Sequence, residues 1–240
     1  MNILVTGAAG FIGFHTALNL LKKKNIIIAG VDNLNNYYDI NLKKERLKIL
    51  KQYDNFKFAK IDITNKVKLL KFIEINKIQI IIHLAAQAGV RYSITSPDTY
   101  FSSNLKGFYN VLEVSREKKI KHLIFASTSS VYGDSANFPL KEEFDTSEPE
   151  SFYAATKKCN EVMAYSYSAI YKINITGLRF FTVYGPYGRP DMALFKFIKA
   201  ISEGKKIDLY NKGMNFRDFT YVDDIVCALT KLINKKPKQK

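Results

Sequence analysis

The sequence predicts an α/β protein: a doubly wound parallel sheet covered by helices, followed by the beginning of a second, smaller C-terminal lobe. Three observations support this prediction. Short, almost wholly apolar runs alternate with longer helical patterns, which is typical of parallel strands joined by crossovers. A glycine-rich turn follows the first of these runs, as expected where a strand leads into a helix. No internal repeat, Gly/Ser linker or low-complexity tract interrupts the alternation in the 240 residues.

The elements follow one another in a regular order. The predicted strands are 2–6, 26–31, 56–60, 79–83, 123–127 and 175–180. The predicted helices are 11–23, 42–51, 65–76, 98–118 and 152–171. Because the strands are nearly continuous in apolar residues, we expect both faces of the sheet to be covered. The alternation loosens after Gly185, so we expect a first domain over 1–184 and a partial second lobe over 185–240.

Composition limits the class of protein. With 47% apolar and 13% aromatic residues the chain should be globular. Its first residues reach Gly7 before any long apolar stretch, so we expect no signal peptide, no membrane span and a cytoplasmic location. Cys159 and Cys227 are far apart, which predicts free thiols and no metal site. The net charge of +15 is spread over 31 Lys and 6 Arg, including Lys43 and Lys44, and favours a solvated basic surface over nucleic-acid binding.

The glycine-rich turn indicates a Rossmann-like dinucleotide site. Gly7, Gly10 and Gly13 lie between a predicted strand and a predicted helix, where glycine lets backbone N–H groups and a helix N-terminus approach a pyrophosphate. Asp32 ends the second strand 19 residues after Gly13, and a carboxylate there accepts hydrogen bonds from the adenosine ribose. Asn33 follows it instead of an Arg, which favours NAD over NADP. The alternative is that Asp32 is an ordinary turn residue.

Further cofactor contacts are expected at the ends of later strands. Asp62 and Ile63 follow the third strand and suit the adenine edge, although Asp62 would serve equally as a helix cap. His83 ends the fourth strand and is expected to be a packed histidine, with a role as a base the less favoured alternative. The remaining expected cofactor contacts are Phe11, Ile12, Leu84, Ala85, Ala86, Gln87 and Asn104.

A tyrosine and a lysine four residues apart suggest the chemistry. Tyr153 and Lys157 fall in a predicted helix, where this spacing places both side chains on one face. The spacing alone is weak, because about two such pairs are expected by chance in this composition, and Tyr53 with Lys57 forms another. Together with a nicotinamide site, however, a phenol beside an ammonium group indicates transfer of a hydride and a proton.

Eight motifs, in order and in matching contexts, resemble those of the nucleotide-sugar epimerases and dehydratases over almost the whole chain. Within that family they are most similar to the UDP-glucuronate 4-epimerases. The segments that carry the resemblance are 7–13, 32–38, 83–92, 128–133, 153–157, 179–186, 188–192 and 217–224.

The resemblance implies an NAD-dependent enzyme acting on a UDP-sugar for polysaccharide synthesis, and a homodimer formed through helices 98–118 and 152–171. Tyr165, Tyr167 and Ile170 of the second helix would equally fit a protein core.

The resemblance also implies roles for the catalytic residues. Tyr153 would take the proton from the sugar 4-hydroxyl, with Lys157 and the nicotinamide charge lowering its pKa. Thr128 would hydrogen-bond the same oxygen while the C4 hydride passes to NAD and returns to the opposite face. In the related dehydratases and decarboxylases a carboxylate follows this position. Ser129 and Ser130 stand there in this chain, which predicts epimerisation without elimination.

Four more residues are expected to contact the substrate by resemblance. Thr182 and Arg189 are candidates for binding the glucuronate carboxylate, since an arginine donates charge-assisted hydrogen bonds. Arg217 corresponds to a diphosphate ligand of the family. Arg91 is a weaker candidate. Arg189 could instead be a solvated loop residue and Arg91 part of a structural ion pair. The polar loop 134–149 is expected at the mouth of the site.

Two alternatives stay open at this point. One is another UDP-sugar 4-epimerase, of the UDP-glucose/galactose type. The other is a non-catalytic NAD-binding remnant, because family members continue well beyond residue 240. For the same reason we expect reduced turnover by this chain alone unless another chain completes the substrate pocket.

Overall fold

The computed structural model describes residues 1–134, 138–207, 210–214, 216–235 and 237. A six-stranded parallel sheet, in the order β3-β2-β1-β4-β5-β6, forms its centre and confirms the predicted sheet. All six predicted strands agree with the structure within one residue at each end, and the first, third and sixth agree at both ends. The strands are β1 Asn2–Thr6, β2 Ile27–Asp32, β3 Phe56–Lys60, β4 Ile80–His83, β5 His122–Thr128 and β6 Ile175–Phe180.

Helices join the strands and cover the sheet. Three of them begin at side-chain caps, because Asp39, Asn65 and Ser151 each accept a hydrogen bond from a backbone amide of the first turn. The helices are α1 Phe11–Leu21, α2 Ile40–Leu50, α3 Lys66–Ile75, α4 Tyr92–Thr95, α5 Pro97–Tyr100, α6 Gly107–Glu117, α7 Phe152–Tyr171, α8 Ala193–Ser202 and α9 Val222–Leu232.

Alternate residues of the central strand supply two separate cores. Ile3 and Val5 of β1 pack on one face with α1, α2 and α9, while Leu4 packs on the other with α3, α6 and α7. All three side chains are fully buried. The expectation that both faces are covered is therefore correct, and its physical reason is that a crossover helix follows nearly every strand.

The predicted continuous helix 98–118 is interrupted. Between α5 and α6 the residues Phe101–Lys106 form a π-helical turn, a feature found often near functional sites. The wider turn directs Asn104 inward, where its carbonyl accepts a hydrogen bond from Asn160 of α7 at 2.7 Å. Hydrophobic periodicity could not reveal this break, because it lies in the backbone bonding and not in the apolar pattern.

Residues after 180 form elements that the sequence pattern did not predict. Strand β7 (Thr182–Tyr184) pairs with β8 (Phe219–Tyr221) in a small parallel sheet. Helix α9 packs on α1, and its Leu229 joins the core that contains β1. Helix α8 has no buried residue. The domain division at 184/185 stays a prediction. Within the described ranges, the structure contains no helix with the length and apolarity required to cross a bilayer.

Candidate active site

A cavity of 1190 Å³ opens at the carboxyl ends of the parallel strands. Doubly wound sheets bind ligands there, beside the point where the strand order reverses, which in this sheet lies between β1 and β4. Pockets for a single small ligand usually measure about 300–1,000 Å³. The cavity is thus large enough to hold a dinucleotide and a second ligand together.

The glycine-rich turn forms one wall of the cavity. Gly7 has a φ of +71°, and a Cβ atom there would lie 2.8 Å from the backbone nitrogen of Ala85. A Cβ at Gly13 would lie 2.1 Å from the carbonyl oxygen of Gly7. No described side chain caps α1, so its first amides are available to an anion. Gly10, Phe11 and Ile12 line the cavity beside these amides, and the cradle fits a pyrophosphate.

Asp32 is fixed at the end of β2. Its carboxylate accepts hydrogen bonds from the amides of Ala9, at 3.1 Å, and Leu34, at 2.8 Å. Burial raises the pKa of Asp32, while these amides and the nearby Lys43 act in the opposite direction. The side chain lines the cavity, which is the position expected for a ribose ligand.

Lys43 lies in the same part of the cavity as Asp32, although the sequence predicted a surface residue. Only 5% of it is exposed, it lines the cavity, and its ammonium group donates to the backbone and side-chain oxygens of Asn35 at 2.8 and 2.7 Å. It also lies 4.7 Å from the ring centroid of Tyr38. The cause of the misassignment is that α2 begins at residue 40 and turns this lysine toward Asp32.

Asn33, Asp62 and Ile63 line the adjoining part of the cavity. Asn33 donates its side-chain amide to Asp62 at 2.8 Å, and Thr64 donates both its backbone amide and its hydroxyl to the same carboxylate. Burial raises the pKa of Asp62, but these hydrogen bonds outweigh it and leave the pKa below its usual range. The carboxylate therefore stays ionised at the expected adenine edge.

The backbone after β4 passes along the cavity. Leu84, Ala85, Ala86 and Gln87 all contribute to its lining, as expected. His83 lies behind them, 3% exposed, with its Nδ1 atom 2.8 Å from the hydroxyl of Thr6. Burial, assisted by Lys157, lowers the pKa of His83 to about 3. A neutral, hydrogen-bonded histidine in this position is a packing residue and not a base.

Asn104 was expected to contact the cofactor, but the structure places it behind the cavity wall. Its side chain accepts from the amide of Gln87 at 2.8 Å and donates to the carbonyl of Gln87 at 3.0 Å. It also donates to the Thr156 hydroxyl at 3.1 Å. Asn104 thus joins the loop after β4 to the helix that carries Tyr153 and Lys157. Its inward direction follows from the π-helical turn.

Thr128 and Tyr153 meet inside the cavity. Thr128 ends β5 and accepts a hydrogen bond from the amide of Ser130 at 3.2 Å. Tyr153 lies in the first turn of α7, which Ser151 caps. Burial raises the pKa of Tyr153, whereas a hydrogen bond with Thr128 and the positive charge of Arg189 act to lower it. The two hydroxyl groups are placed to bind the same ligand oxygen.

Lys157 also lines the cavity, one helical turn after Tyr153 in α7, and its effect on the Tyr153 phenol stays a prediction. Its ammonium group donates to the carbonyl of Ala126 at 2.9 Å, and burial lowers its pKa to about 8. A positive charge that acts to lower the pKa of Tyr153 in the structure is that of Arg189. The sequence interval between a tyrosine and a lysine does not reveal this, because Arg189 comes from a distant segment.

The substrate side of the cavity contains most of the remaining candidates. Ser129, Ser130 and Thr182 line it close to Thr128 and Tyr153. Arg189 and Arg217 line it as well, Arg189 paired with Asp191 and Arg217 exposed. Arg91 is exposed and lies outside the lining given by the described residues, so the structure does not bring it to this site.

The loop 134–149 borders the cavity mouth as expected. Asp134, Phe138, Pro139 and Leu140 line it, while 135–137 lie outside the described residues. Tyr37 also lines the cavity. Its place there is not predictable from the sequence, because nothing in the local pattern around Tyr37 indicates that a loop after β2 reaches the substrate side.

Comparison with known proteins decides the family. The model of the NAD dependent epimerase/dehydratase family matches residues 3–240. The chain belongs to this family. Its membership confirms the predicted family, an enzyme of this class and NAD as the cofactor.

Individual members of the family cover nearly all of the chain. Protein CapI of Staphylococcus aureus is 53% identical over 235 residues, which are 98% of this chain and 70% of that protein. A probable UDP-glucuronate 4-epimerase of Rhizobium meliloti is 46% identical over 239 residues, 100% of this chain and 70% of that protein.

A solved family structure has the same fold. It is UDP-glucuronic acid 4-epimerase from Bacillus cereus, in complex with UDP-glucuronic acid and NAD. The TM-score is 0.93 at 36% identity, and the match covers 99% of this chain and 74% of that one.

Proposed function

We propose that the protein inverts the configuration at C4 of a UDP-sugar, and that this sugar is UDP-glucuronate, which becomes UDP-galacturonate. One observation carries the proposal: a single cavity combines the dinucleotide cradle, the Thr128 and Tyr153 hydroxyls, and Arg189 beside them. The relatives named for this reaction support it. A cytoplasmic location and a place in polysaccharide synthesis belong to the same proposal.

Tyr153 is the group that removes and returns the proton on the 4-hydroxyl oxygen. Because burial raises the pKa of this phenol, it is protonated near neutral pH unless positive charge stabilises the phenolate. Arg189 supplies such a charge, and Thr128 donates a hydrogen bond that favours the ionised form. The same Thr128 hydroxyl can bind the 4-hydroxyl and then the ketone oxygen.

The position of the cofactor site determines where in the cavity the sugar must react. NAD, when bound, accepts the hydride from C4 and returns it to that carbon. The glycine cradle, Asp32 and Lys43 hold the dinucleotide at one end of the cavity, so the sugar has to reach Tyr153 from the other end. Inversion requires both faces of C4 to be presented in turn, and the cavity volume leaves space for the ring to rotate.

Specificity for a uronate is assigned to Arg189 and Thr182. Arg189 offers charge-assisted hydrogen bonds to a carboxylate, and Thr182 adds a hydroxyl on the same side. Ser129 and Ser130 stand where related enzymes have carboxylates, so these positions provide hydroxyls and not an acid–base pair. A carboxylate beta to the C4 ketone can leave as carbon dioxide, and holding the sugar carboxylate in place disfavours that loss.

Product analysis tests this function. Purified protein is incubated separately with UDP-glucuronate, UDP-galacturonate and UDP-glucose, and the products are separated by anion-exchange chromatography. We expect the two uronates to converge on one mixture, and UDP-glucose to react much more slowly. The preference among sugars, not the absolute rate, is the readout. Conversion of UDP-glucose alone, or release of carbon dioxide as the main reaction, would contradict the proposal.

We also propose that the protein forms a homodimer through the outer faces of α6 and α7. Val162, Tyr165 and Ile170 of α7 are 58%, 72% and 64% exposed, which excludes a core role for Tyr165 and Ile170 in the single chain. Tyr109 of α6 is 45% exposed. Contiguous exposed apolar side chains on neighbouring helices are typical of a protein interface. Tyr167 differs from them, since its hydroxyl donates to Glu113 within the chain at 2.9 Å.

Sedimentation velocity tests the dimer. The unchanged protein should sediment as a dimer, and Tyr165→Glu as a monomer with the same far-UV circular dichroism. Ile75→Glu is the matched control, because Ile75 is 65% exposed on a different helix, α3. A monomeric unchanged protein, or a dimer that survives Tyr165→Glu, would contradict this interface.

A further inference from the structure

Arg189 forms an ion pair with a second charged residue, Asp191. Asp191 accepts hydrogen bonds from the Nε and Nη2 atoms of the guanidinium, the first at 3.0 Å. Arg189 belongs to the cavity lining, whereas Asp191 is absent from the lining given by the described residues. The bidentate contact occupies one edge of the guanidinium and leaves further N–H donors for a ligand in the cavity.

Asp191 is itself fixed by Tyr37. The Tyr37 hydroxyl donates to the carboxylate of Asp191 at 3.2 Å. The Tyr37 hydroxyl packs against Gly89, where an added Cβ atom would lie 2.6 Å from the hydroxyl oxygen. Burial raises the pKa of Tyr37 to about 12, so the hydroxyl keeps its proton and remains a donor. The loop after β2 thereby determines where Asp191 lies.

The backbone just before Arg189 is anchored as well. Arg46 of α2 is fully buried and donates to the carbonyl oxygens of Tyr187, at 2.6 Å, and Gly188, at 3.4 Å. The same guanidinium donates to the carbonyl of Ala9, in the glycine-rich turn, at 2.8 Å. The segment that carries Arg189 is consequently fastened on one side by Arg46 to the glycine-rich turn and on the other by Asp191 to Tyr37.

We propose that Asp191, fixed by Tyr37, is a positioning residue that makes Arg189 selective for a carboxylate on the sugar. This inference rests on the proposed function. Asp191 compensates the charge of Arg189 in the absence of substrate and fixes its orientation. The free edge then binds the uronate carboxylate at a set distance from Tyr153. A mobile guanidinium would make that contact in several orientations and lose much of the preference.

Binding measurements in a background that cannot turn substrate over test the proposal. In Tyr153→Phe protein loaded with NAD, isothermal titration gives the Kd of UDP-glucuronate and of UDP-glucose. Asp191→Asn keeps the shape of the side chain and removes its charge, and Tyr37→Phe removes only the hydroxyl. Asp54→Asn is the matched control, since Asp54 is exposed and lies outside the cavity lining formed by the described residues.

We expect Asp191→Asn to lower the preference for UDP-glucuronate over UDP-glucose by about tenfold or more, since a charge-assisted hydrogen bond changes affinity on that scale. Tyr37→Phe should lower it less, and Asp54→Asn not at all. The affinity for UDP-glucose should change little in every variant. A preference that is unchanged or higher in Asp191→Asn overturns the proposal. Equal loss of affinity for both sugars also overturns it, because that outcome denotes general structural support.

A substrate-free measurement separates this inference from the proposed function. If the Tyr153→Phe protein binds neither sugar, the proposed function fails. The ion pair between Arg189 and Asp191 is then tested separately, by urea unfolding of Asp191→Asn, Arg189→Gln and the double variant. We expect each single substitution to lower the urea concentration at the unfolding midpoint. The double substitution should lower it by less than the sum of the two single shifts. Additive shifts would show that the two residues are independent and would overturn the positioning role.

Discussion

Glu161 of α7 binds side chains of β5 and β6, and we predict that replacing it by glutamine destabilises the protein. Its carboxylate accepts hydrogen bonds from the Ser127 hydroxyl at 2.6 Å and from the Nε and Nη2 atoms of Arg179 at 3.0 Å each. Arg179 also donates to the carbonyl of Glu142, in the loop at the cavity mouth, at 3.1 Å. Glu161→Gln keeps the size of the side chain but turns one acceptor into a donor that faces other donors.

The magnitude follows from these contacts. The side chains of Arg179 and Glu161 are 20% and 18% exposed, so solvent screens the pair only in part. Loss of one charge-assisted hydrogen bond costs about 1.5–3 kcal/mol, and the remaining arginine charge loses its compensation. We therefore expect the free energy of unfolding to fall by about 3 kcal/mol, or the Tm by about 6–12 °C for a chain of this size.

Thermal and urea unfolding at pH 7 measure the effect, with Glu203→Gln as the control. Glu203, directly after α8, pairs with Lys199 and Lys205 at the exposed surface, so its loss should cost about 0.5 kcal/mol or less. Burial raises the pKa of Glu161, but the bonds from Arg179 and Ser127 outweigh it and depress the pKa below its ordinary value. The stabilisation is then present above about pH 4.3 and disappears as the pH falls through the lower, folded-state pKa. Equal stability of Glu161→Gln and the unchanged protein at pH 7 would refute the reasoning.

Three further predictions concern the catalytic and cofactor residues. Tyr153→Phe should lower kcat by about 10²–10⁴ while NAD is retained, which rate and cofactor-content measurements check; undiminished kcat contradicts it. Gly13→Ala should release NAD, because its Cβ would lie 2.1 Å from the carbonyl oxygen of Gly7; full NAD content after purification contradicts it. Lys157 has a pKa lowered to about 8 by burial, so the unfolded chain binds its proton more strongly. Between pH 8 and pH 10 this residue should therefore raise the free energy of unfolding by about 2 kcal/mol. Urea unfolding of Lys157→Met should not show that rise.

The parts of the fold that depend on local pattern were predictable. Buried parallel strands leave continuous apolar runs, so β1 and β3 were placed at both ends, and α7 was placed from residue 152 to 171. The cradle at Gly7 and Gly13 was also predictable, since its function requires glycine at fixed intervals along the chain. These features are predictable because each depends on residues that are close together in the sequence.

Features that join distant segments were not predictable. The sequence around Lys43 is typical of a surface lysine, but the first turn of α2 directs the side chain toward Asp32. Asn104 was assigned to the cofactor, but the π-helical turn directs it between Gln87 and Thr156. Arg189 contributes a charge that acts on Tyr153, and only tertiary structure brings those two residues together.

Isotope tracing of the C4 hydrogen tests the central claim most directly. UDP-glucuronate labelled with deuterium at C4 is incubated with the purified protein and NAD, and the UDP-galacturonate formed is examined by mass spectrometry and NMR. The proposed mechanism predicts that the product keeps deuterium at C4 with inverted configuration, because the hydride leaves and returns within one site. Product that has exchanged its C4 label with solvent, or no UDP-galacturonate while another UDP-sugar reacts, would contradict it.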